Sequence, residues 1–322
     1  VFKFCCSVFR ALSFLVCCSQ YILSSSSVLL AVIFLFNKHS NPRVTSNTNW
    51  CLSIIRLKSM ASNLAGVKGL LIDISGVLKD GDVVIDGSVA AIEKLQSAKF
   101  PFRVVTNETL KPRKTILSTL SMLGYNIEEK ILFSPVPAAV EILKRENLRP
   151  HLLVHPRMVP EFEGVDFNNP NCVVMADAYE HFTFENMNEC FRKLMAMENP
   201  VFFSLGIGKY YMDDDGMALD VGGFAKCLEY ATGVSPRIVG KPSREYFHTA
   251  VNDMNLNCDQ VMMIGDDVEH DVGGAQAAGL KGALVRTGKF TKKDENHPKV
   301  KPDLIVNNLA HAVDLLFGTS SS

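Results

Sequence analysis

Leu70-Leu71-Ile72-Asp73 and Val261-Met262-Met263-Ile264-Gly265-Asp266 are runs with no polar face that end on a carboxylate. A strand of this make-up must be covered on both sides. A parallel sheet with helices on both faces does that, whereas a sheet with one wet face would read as an alternation. The neighbouring segments fit the same plan. Strands are predicted at Val67–Ile74, Phe102–Thr106 and Ile131–Phe133, with helices at Gly87–Lys99, Lys114–Leu123 and Val140–Arg145 between and after them. Later strands are predicted at Arg237–Val239, Val261–Ile264, Gly282–Val285 and Leu304–Val306, with helices at Arg244–Met254, Asp271–Ala278 and Leu309–Leu316. Regular strand–helix alternation implies right-handed βαβ units and an α/β fold with a doubly wound parallel sheet.

The middle of the chain repeats this alternation by itself. His151–Val154, Cys172–Ala176 and Val201–Ser204 read as strands, and Asn186–Met197 and Gly222–Thr232 as helices. Residues 60–148 and 237–322 are therefore expected to form one sheet domain, with 149–236 a second α/β module inserted into it. A chain of 322 residues is long enough for two such cores.

Residues 1–59 follow a different grammar. They hold six of the 33 basic residues and none of the 34 acidic ones, which leaves 27 basic and 34 acidic in the remainder. The overall net charge of −1 is thus a +6 leader joined to a −7 body, and an acidic body excludes a dedicated nucleic-acid binder. Ala11–Asn37 is uncharged and contains nine successive apolar residues, Val28–Phe36. Three readings of the leader compete: a hydrophobic anchor, a targeting peptide, or translation from upstream of an ordinary start at Met60-Ala61-Ser62. A membrane role depends on the first two. In the body, Cys172, Cys190, Cys227 and Cys258 are widely spaced with no C-x-x-C pair, which suits a reducing compartment, the cytoplasm or the nucleus.

Four motifs fall at predicted strand ends, the edge of an open α/β sheet where ligands bind. Asp73-Ile74-Ser75-Gly76-Val77 puts a carboxylate before a glycine loop, and Gly265-Asp266-Asp267, with Glu269 and Asp271 close behind, supplies more acids. Gly240-Lys241-Pro242-Ser243 fixes a lysine in a tight turn, and Thr106-Asn107 ends a strand with a hydroxyl and an amide. Each alone also reads blandly, as a helix cap, a solvated acidic loop, a surface lysine or a plain turn. Together they describe phosphoryl transfer to a carboxylate nucleophile, with the lysine and a hard, oxygen-liganded cation such as Mg²⁺ neutralising the transferred group.

These residues resemble the four motifs of the haloacid dehalogenase superfamily, and the insertion resembles the large α/β cap of its second cap class, C2. The likeness extends over residues 64–317. The resemblance implies a Rossmann-like core with Asp73 as nucleophile and Mg²⁺ ligand. Ser75 would offer its backbone carbonyl to the metal, Asp266 would be the other carboxylate ligand, and Asp271 would support the metal from behind. Asp73, Ile74, Ser75, Thr106, Asn107 and Lys241 would bind the phosphoryl group. Further strings, including Asn169-Pro170-Asn171-Cys172, Leu219-Asp220-Val221-Gly222 and Thr287-Gly288-Lys289-Phe290, resemble those members that cleave P–N bonds (phosphohistidine, phospholysine, imidodiphosphate) and inorganic pyrophosphate. A cytoplasmic homodimer acting on phosphoryl-bearing small molecules or phosphorylated protein side chains is implied.

One position departs from the wider superfamily. Two residues after the nucleophile, where its phosphatases carry a second Asp for general acid–base work, stands Ser75. Such help is worth about 10²–10⁴-fold, so alkyl phosphates should be poor substrates, and leaving groups that need little protonation should be better ones. A binding module that retains the fold with weak catalysis is the alternative reading. Dehalogenation, which needs no metal, is disfavoured by the full acid cluster. Asp177–Phe184 and Gly206–Tyr211, with Lys209, Tyr210 and Tyr211, are candidate rim loops of the cap.

Overall fold

The computed structural model describes residues 63–213 and 216–318, so the expectations for the 1–59 leader lie outside the described residues. Among the described residues, no helix is long and apolar enough to cross a membrane.

The first half of the core comprises β1 (Gly69–Asp73), α1 (Ser88–Ser97), β2 (Phe102–Val105), α2 (Arg113–Met122), β3 (Leu132–Phe133) and α3 (Pro135–Arg145). The inserted region carries β4 (Pro150–Leu153), β5 (Cys172–Met175), α4 (Phe184–Ala196), β6 (Phe202–Ser204), α5 (Val221–Thr232) and β7 (Arg237–Ile238). The chain then returns through α6 (Arg244–Asp253), β8 (Val261–Gly265), β9 (Lys281–Val285), β10 (Leu304–Val306) and α7 (Leu309–Phe317).

The main sheet has the order β10-β9-β8-β1-β2-β3 and is parallel throughout. Its chemistry follows from that order. From β1 the chain runs outward through β2 and β3, then returns to the opposite side of β1 for β8, β9 and β10. Strand β1 is therefore the switch point, and the crevice beyond its carboxyl end is the place for a ligand. Register aligns the motifs there, because Ile72 pairs with Ile264 and Asp73 with Val105. Asp73, Thr106 and Asp266 thus leave neighbouring strands at one edge.

The double burial expected for these strands is visible residue by residue. Leu70, Ile72, Val104, Met262 and Ile264 pack toward Ile92, Leu95, Leu120 and Val313 of the helices on one face. Leu71, Val105, Val261 and Met263 pack toward Phe247 and Val251 of α6 on the other. All five residues of β1 and all five of β8 are buried.

The second sheet, order β7-β6-β5-β4, is also parallel and forms the α/β cap. Its composition departs from the sequence segmentation in two places. The strand expected at Arg237–Val239 pairs with Phe203 and Ser204 and so closes the cap sheet. Helix α3, which begins earlier than expected on Pro135, buries Val136, Val140 and Leu143 against Val174 and Phe203 of the same sheet. Two short antiparallel hairpins, Lys79–Asp80 with Val83–Val84 and Tyr210–Asp213 with Gly216–Leu219, were not anticipated. The latter places Tyr210 of the expected rim loop in a strand.

Candidate active site

Asp73 is the last residue of β1. Its carboxylate turns back over its own loop, where Oδ1 accepts the Ile74 N–H at 2.8 Å and lies 2.7 Å from Lys241 Nζ. The loop then reverses at Gly76, which has φ +75° and donates its N–H to the Lys79 carbonyl. Ser75 sits exposed at the tip of that loop.

Lys241 is 3% exposed, and its ammonium is shared by two acids, Asp73 Oδ1 at 2.7 Å and Asp271 Oδ1 at 2.8 Å. Both contacts are buried ion pairs. Burial penalises the ammonium, but Asp271 and Asp73 outweigh it and hold the lysine well above its ordinary range, so it is charged. Its backbone is fixed as firmly. Asn107 Nδ2 donates to the Lys241 carbonyl and Asn107 Oδ1 accepts the Lys241 N–H, both at 2.8 Å. Thr106 is buried, its Oγ1 accepts the Glu108 N–H, and its carbonyl accepts the Tyr246 hydroxyl.

The third arm follows β8. Asp266 is 4% exposed, and its Oδ2 accepts the Lys289 N–H at 2.7 Å. A single π-helical turn, Val268–Gly273, occupies the first part of the helix expected from Asp271. Asp267 caps this turn through the Glu269 and His270 N–H groups, and its Oδ2 meets His270 Nδ1 at 2.9 Å. Burial acts against the charged forms of this pair, yet their mutual attraction wins. Asp267 is held below the usual carboxylate range and His270 above the usual imidazole one. Inside the turn, Asp271 is 1% exposed and points back at Lys241.

Asp73, Asp266 and Asp271 bring one oxygen each within 4.8 Å of one another. Three acids crowd around one ammonium in a dry site. Burial, followed by Asp73 and Asp271, pushes Asp266 up. Burial also raises Asp271, with Lys241 pulling it back down. An all-oxygen donor set with excess negative charge fits a hard divalent cation. The surrounding backbone has been kept clear for it. A Cβ on Gly76 would lie 2.0 Å from Asp266 Oδ2, one on Gly288 2.1 Å from the same atom, and one on Gly265 2.1 Å from Asp271 Oδ2.

The site therefore gathers Asp73, Ile74, Thr106, Asn107, Lys241, Asp266 and Asp271, with Ser75 at its mouth. Sequence reasoning singled out Thr287-Gly288-Lys289-Phe290 only as part of the resemblance and did not place it at the site, where the Lys289 N–H meets Asp266 and the Thr287 hydroxyl bonds the Gly76 carbonyl at 2.5 Å. Beyond that resemblance, the local signal was a glycine inside Arg286-Thr287-Gly288-Lys289 directly after a strand. Of the cap's expected rim, Asp177 meets the core where its N–H bonds Thr109 Oγ1 at 3.1 Å, and Lys209 pairs loosely with Glu269 at 3.7 Å.

Comparison with known proteins agrees with this geometry. Residues 70–168 match the model of the haloacid dehalogenase-like hydrolases, and residues 238–312 match a HAD-hydrolase-like model. The chain is 49% identical over 264 residues to the phospholysine phosphohistidine inorganic pyrophosphate phosphatase of Bos taurus, covering 81% of this chain and 98% of that one. To the Homo sapiens protein of the same name it is 49% identical over 257 residues, covering 79% and 95%. Among solved structures, the 4-nitrophenylphosphatase of Thermotoga maritima superimposes with a TM-score of 0.72 at 23% identity, covering 78% of this chain and 98% of that one, a likeness of fold. Edge chemistry, sheet order and these matches agree, and the chain belongs to the haloacid dehalogenase-like hydrolase family.

Proposed function

We propose that this chain is a Mg²⁺-dependent phosphatase that forms a phosphoryl-aspartate on Asp73 and is selective for P–N bonds and inorganic pyrophosphate. The observation that carries the reading is the pairing of a complete site with an incomplete one. Asp73, Lys241, Asp266 and Asp271 are assembled and buried, while the general-acid position holds Ser75. In such a site Asp73 attacks phosphorus in line with the departing group, and water later cleaves the acyl phosphate. Contacts from the Ile74 N–H and Lys241 to Oδ1 hold the Asp73 carboxylate in place at the end of β1 for that attack. Lys241 meets charge growing on the phosphoryl oxygens without first having to leave water, the condition under which a fixed charge is most effective. Asp73, Asp266 and the Ser75 carbonyl would hold Mg²⁺, with Asp271 behind them. When bound, the ion would neutralise the carboxylates and polarise the phosphoryl group.

Serine cannot protonate a leaving alkoxide near neutral pH. A phosphoramidate nitrogen can arrive already protonated, and pyrophosphate departs as phosphate, so neither needs what Ser75 lacks. The names of the curated relatives support these two substrate classes. The same reading takes residues 149–236, with Arg237–Ile238 completing their sheet, as the cap between two core segments and the protein as a cytoplasmic homodimer. The test is release of phosphate from pyrophosphate and imidodiphosphate by the full chain, with and without Mg²⁺, beside Asp73→Asn. Turnover that needs both Asp73 and the ion is expected, and equal rates for the two proteins would overturn the proposal.

A further inference from the structure

Asn107 follows the strand-end threonine, a position that suggests a side chain reaching for the phosphoryl group. Its amide does something else. Both polar atoms are bonded to one main-chain unit, that of Lys241, 134 residues away, at 2.8 Å each. We infer that Asn107 is the positioning residue for Lys241, and that its side chain acts on the reaction through that lysine and not by touching the substrate.

Three further observations support this. Lys241 follows Gly240, whose φ of +115° is reserved largely for glycine, and a Cβ there would lie 2.9 Å from Asn107 Oδ1. The loop is therefore shaped to let the amide come close. The lysine side chain is buried and must reach two carboxylates at 2.7 and 2.8 Å, so its backbone has little freedom to err. Below them, the Tyr246 hydroxyl from α6 lies 2.9 and 2.8 Å from the Thr106 and Phe133 carbonyls and shares its one proton between them, fixing the strand from which Asn107 projects. The threonine loop and the lysine loop are thus joined as one rigid unit, and Asn107 is the joint.

A misplacement of about 1 Å at a reacting group can cost ~10²-fold in rate. Asn107→Ala should therefore lower kcat/KM for pyrophosphate by roughly 10–100-fold on the wild-type background. If the asparagine works through the lysine, the same change on a Lys241→Met background should cost less than about 3-fold, the signature of coupled residues in a double-mutant cycle. The cycle is run on the full chain with Mg²⁺, with Asn107→Leu beside Asn107→Ala to preserve volume. The dissociation constant for inorganic phosphate is measured on the same four proteins. This inference rests on the phosphatase reading, and the Asp73→Asn control separates the two. Loss of that reading leaves the phosphate-binding cycle to decide the inference. Equal losses on both backgrounds would mean that Asn107 contacts the phosphoryl group directly. A loss below 3-fold on the wild-type background would mean that it positions nothing of consequence. Either result overturns the inference.

Discussion

Replacing Lys241 by methionine removes the buried ammonium from a site that holds three buried acids, while nearly preserving the volume of the side chain. Breaking a buried ion pair by deleting one partner costs about 3–5 kcal/mol, because the remaining charge is left without water or a counter-ion. For a domain of this size each kcal/mol lowers Tm by about 2–4 °C, so the metal-free variant should melt roughly 6–20 °C below wild type at about pH 8. The pH dependence has a definite sign. Asp266 and Asp271 already titrate above their unfolded values through burial, and loss of Lys241 removes the group that draws Asp271 down. A carboxylate with a raised folded pKa destabilises the fold only once it ionises. Its stability is intact below the unfolded value near 4 and declines as pH rises through the folded value. The deficit of Lys241→Met should therefore be greatest at about pH 8 and shrink toward pH 5. Mg²⁺ should restore part of it, since ligand at 100 times its Kd adds about 2.7 kcal/mol. Thermal unfolding followed by circular dichroism at three pH values, with and without Mg²⁺, reads all of this. A variant as stable as wild type at pH 8 without metal, or a deficit that grows toward acid, would refute the electrostatic account of the site.

Gly76→Ala would place a methyl 2.0 Å from Asp266 Oδ2 in a backbone with φ +75°. A Mg²⁺ titration should show affinity weakened at least ~10-fold, with about 1–2 kcal/mol of stability lost to the left-handed conformation. Ser75→Asp would supply the missing proton donor. Turnover of an alkyl phosphate should rise by ~10-fold or more relative to pyrophosphate, and an unchanged ratio would dissociate Ser75 from selectivity. Burial pushes the Cys172 and Cys190 thiols up to about 12. Both should resist a thiol reagent at pH 8 while the exposed Cys227 reacts, as read by peptide mapping. Their contribution to stability, intact below about pH 9, should fade as pH rises toward 12.

The strands that carry the acids were readable because a parallel sheet leaves no polar face. A run such as Leu70-Leu71-Ile72 has few other homes, and the first polar residue after it marks the sheet edge. Other features had no such imprint. Helix α3 has one apolar face, and amphipathicity reports that a face exists without saying which sheet it covers. Val136 and Leu143 proved to lie against the cap sheet. The two residues of β7 are too few to display a period, so their partner was open until register fixed it on Phe203 and Ser204. The bonds from Asn107 to the Lys241 main chain join positions 134 residues apart and ask nothing of the lysine's identity, so no local pattern could encode them. Gly76 and Gly288 were visible as glycines. Only their closeness to Asp266 explains why nothing larger stands there.

The ending of the cap sheet has a mechanical consequence. Val239 is still hydrogen-bonded to the cap, its N–H to the Ser204 carbonyl at 3.0 Å, and Lys241 is already locked between Asp73 and Asp271. Only Gly240 lies between, and two virtual bonds reach no farther than about 7 Å. The cap sheet is thus tied to the Lys241 ammonium through a single swivel. A rotation of the cap sheet would have to be absorbed at Gly240, whose φ is +115°, or be carried into the lysine loop, so one glycine sets how far the two sheets can turn before Lys241 feels it.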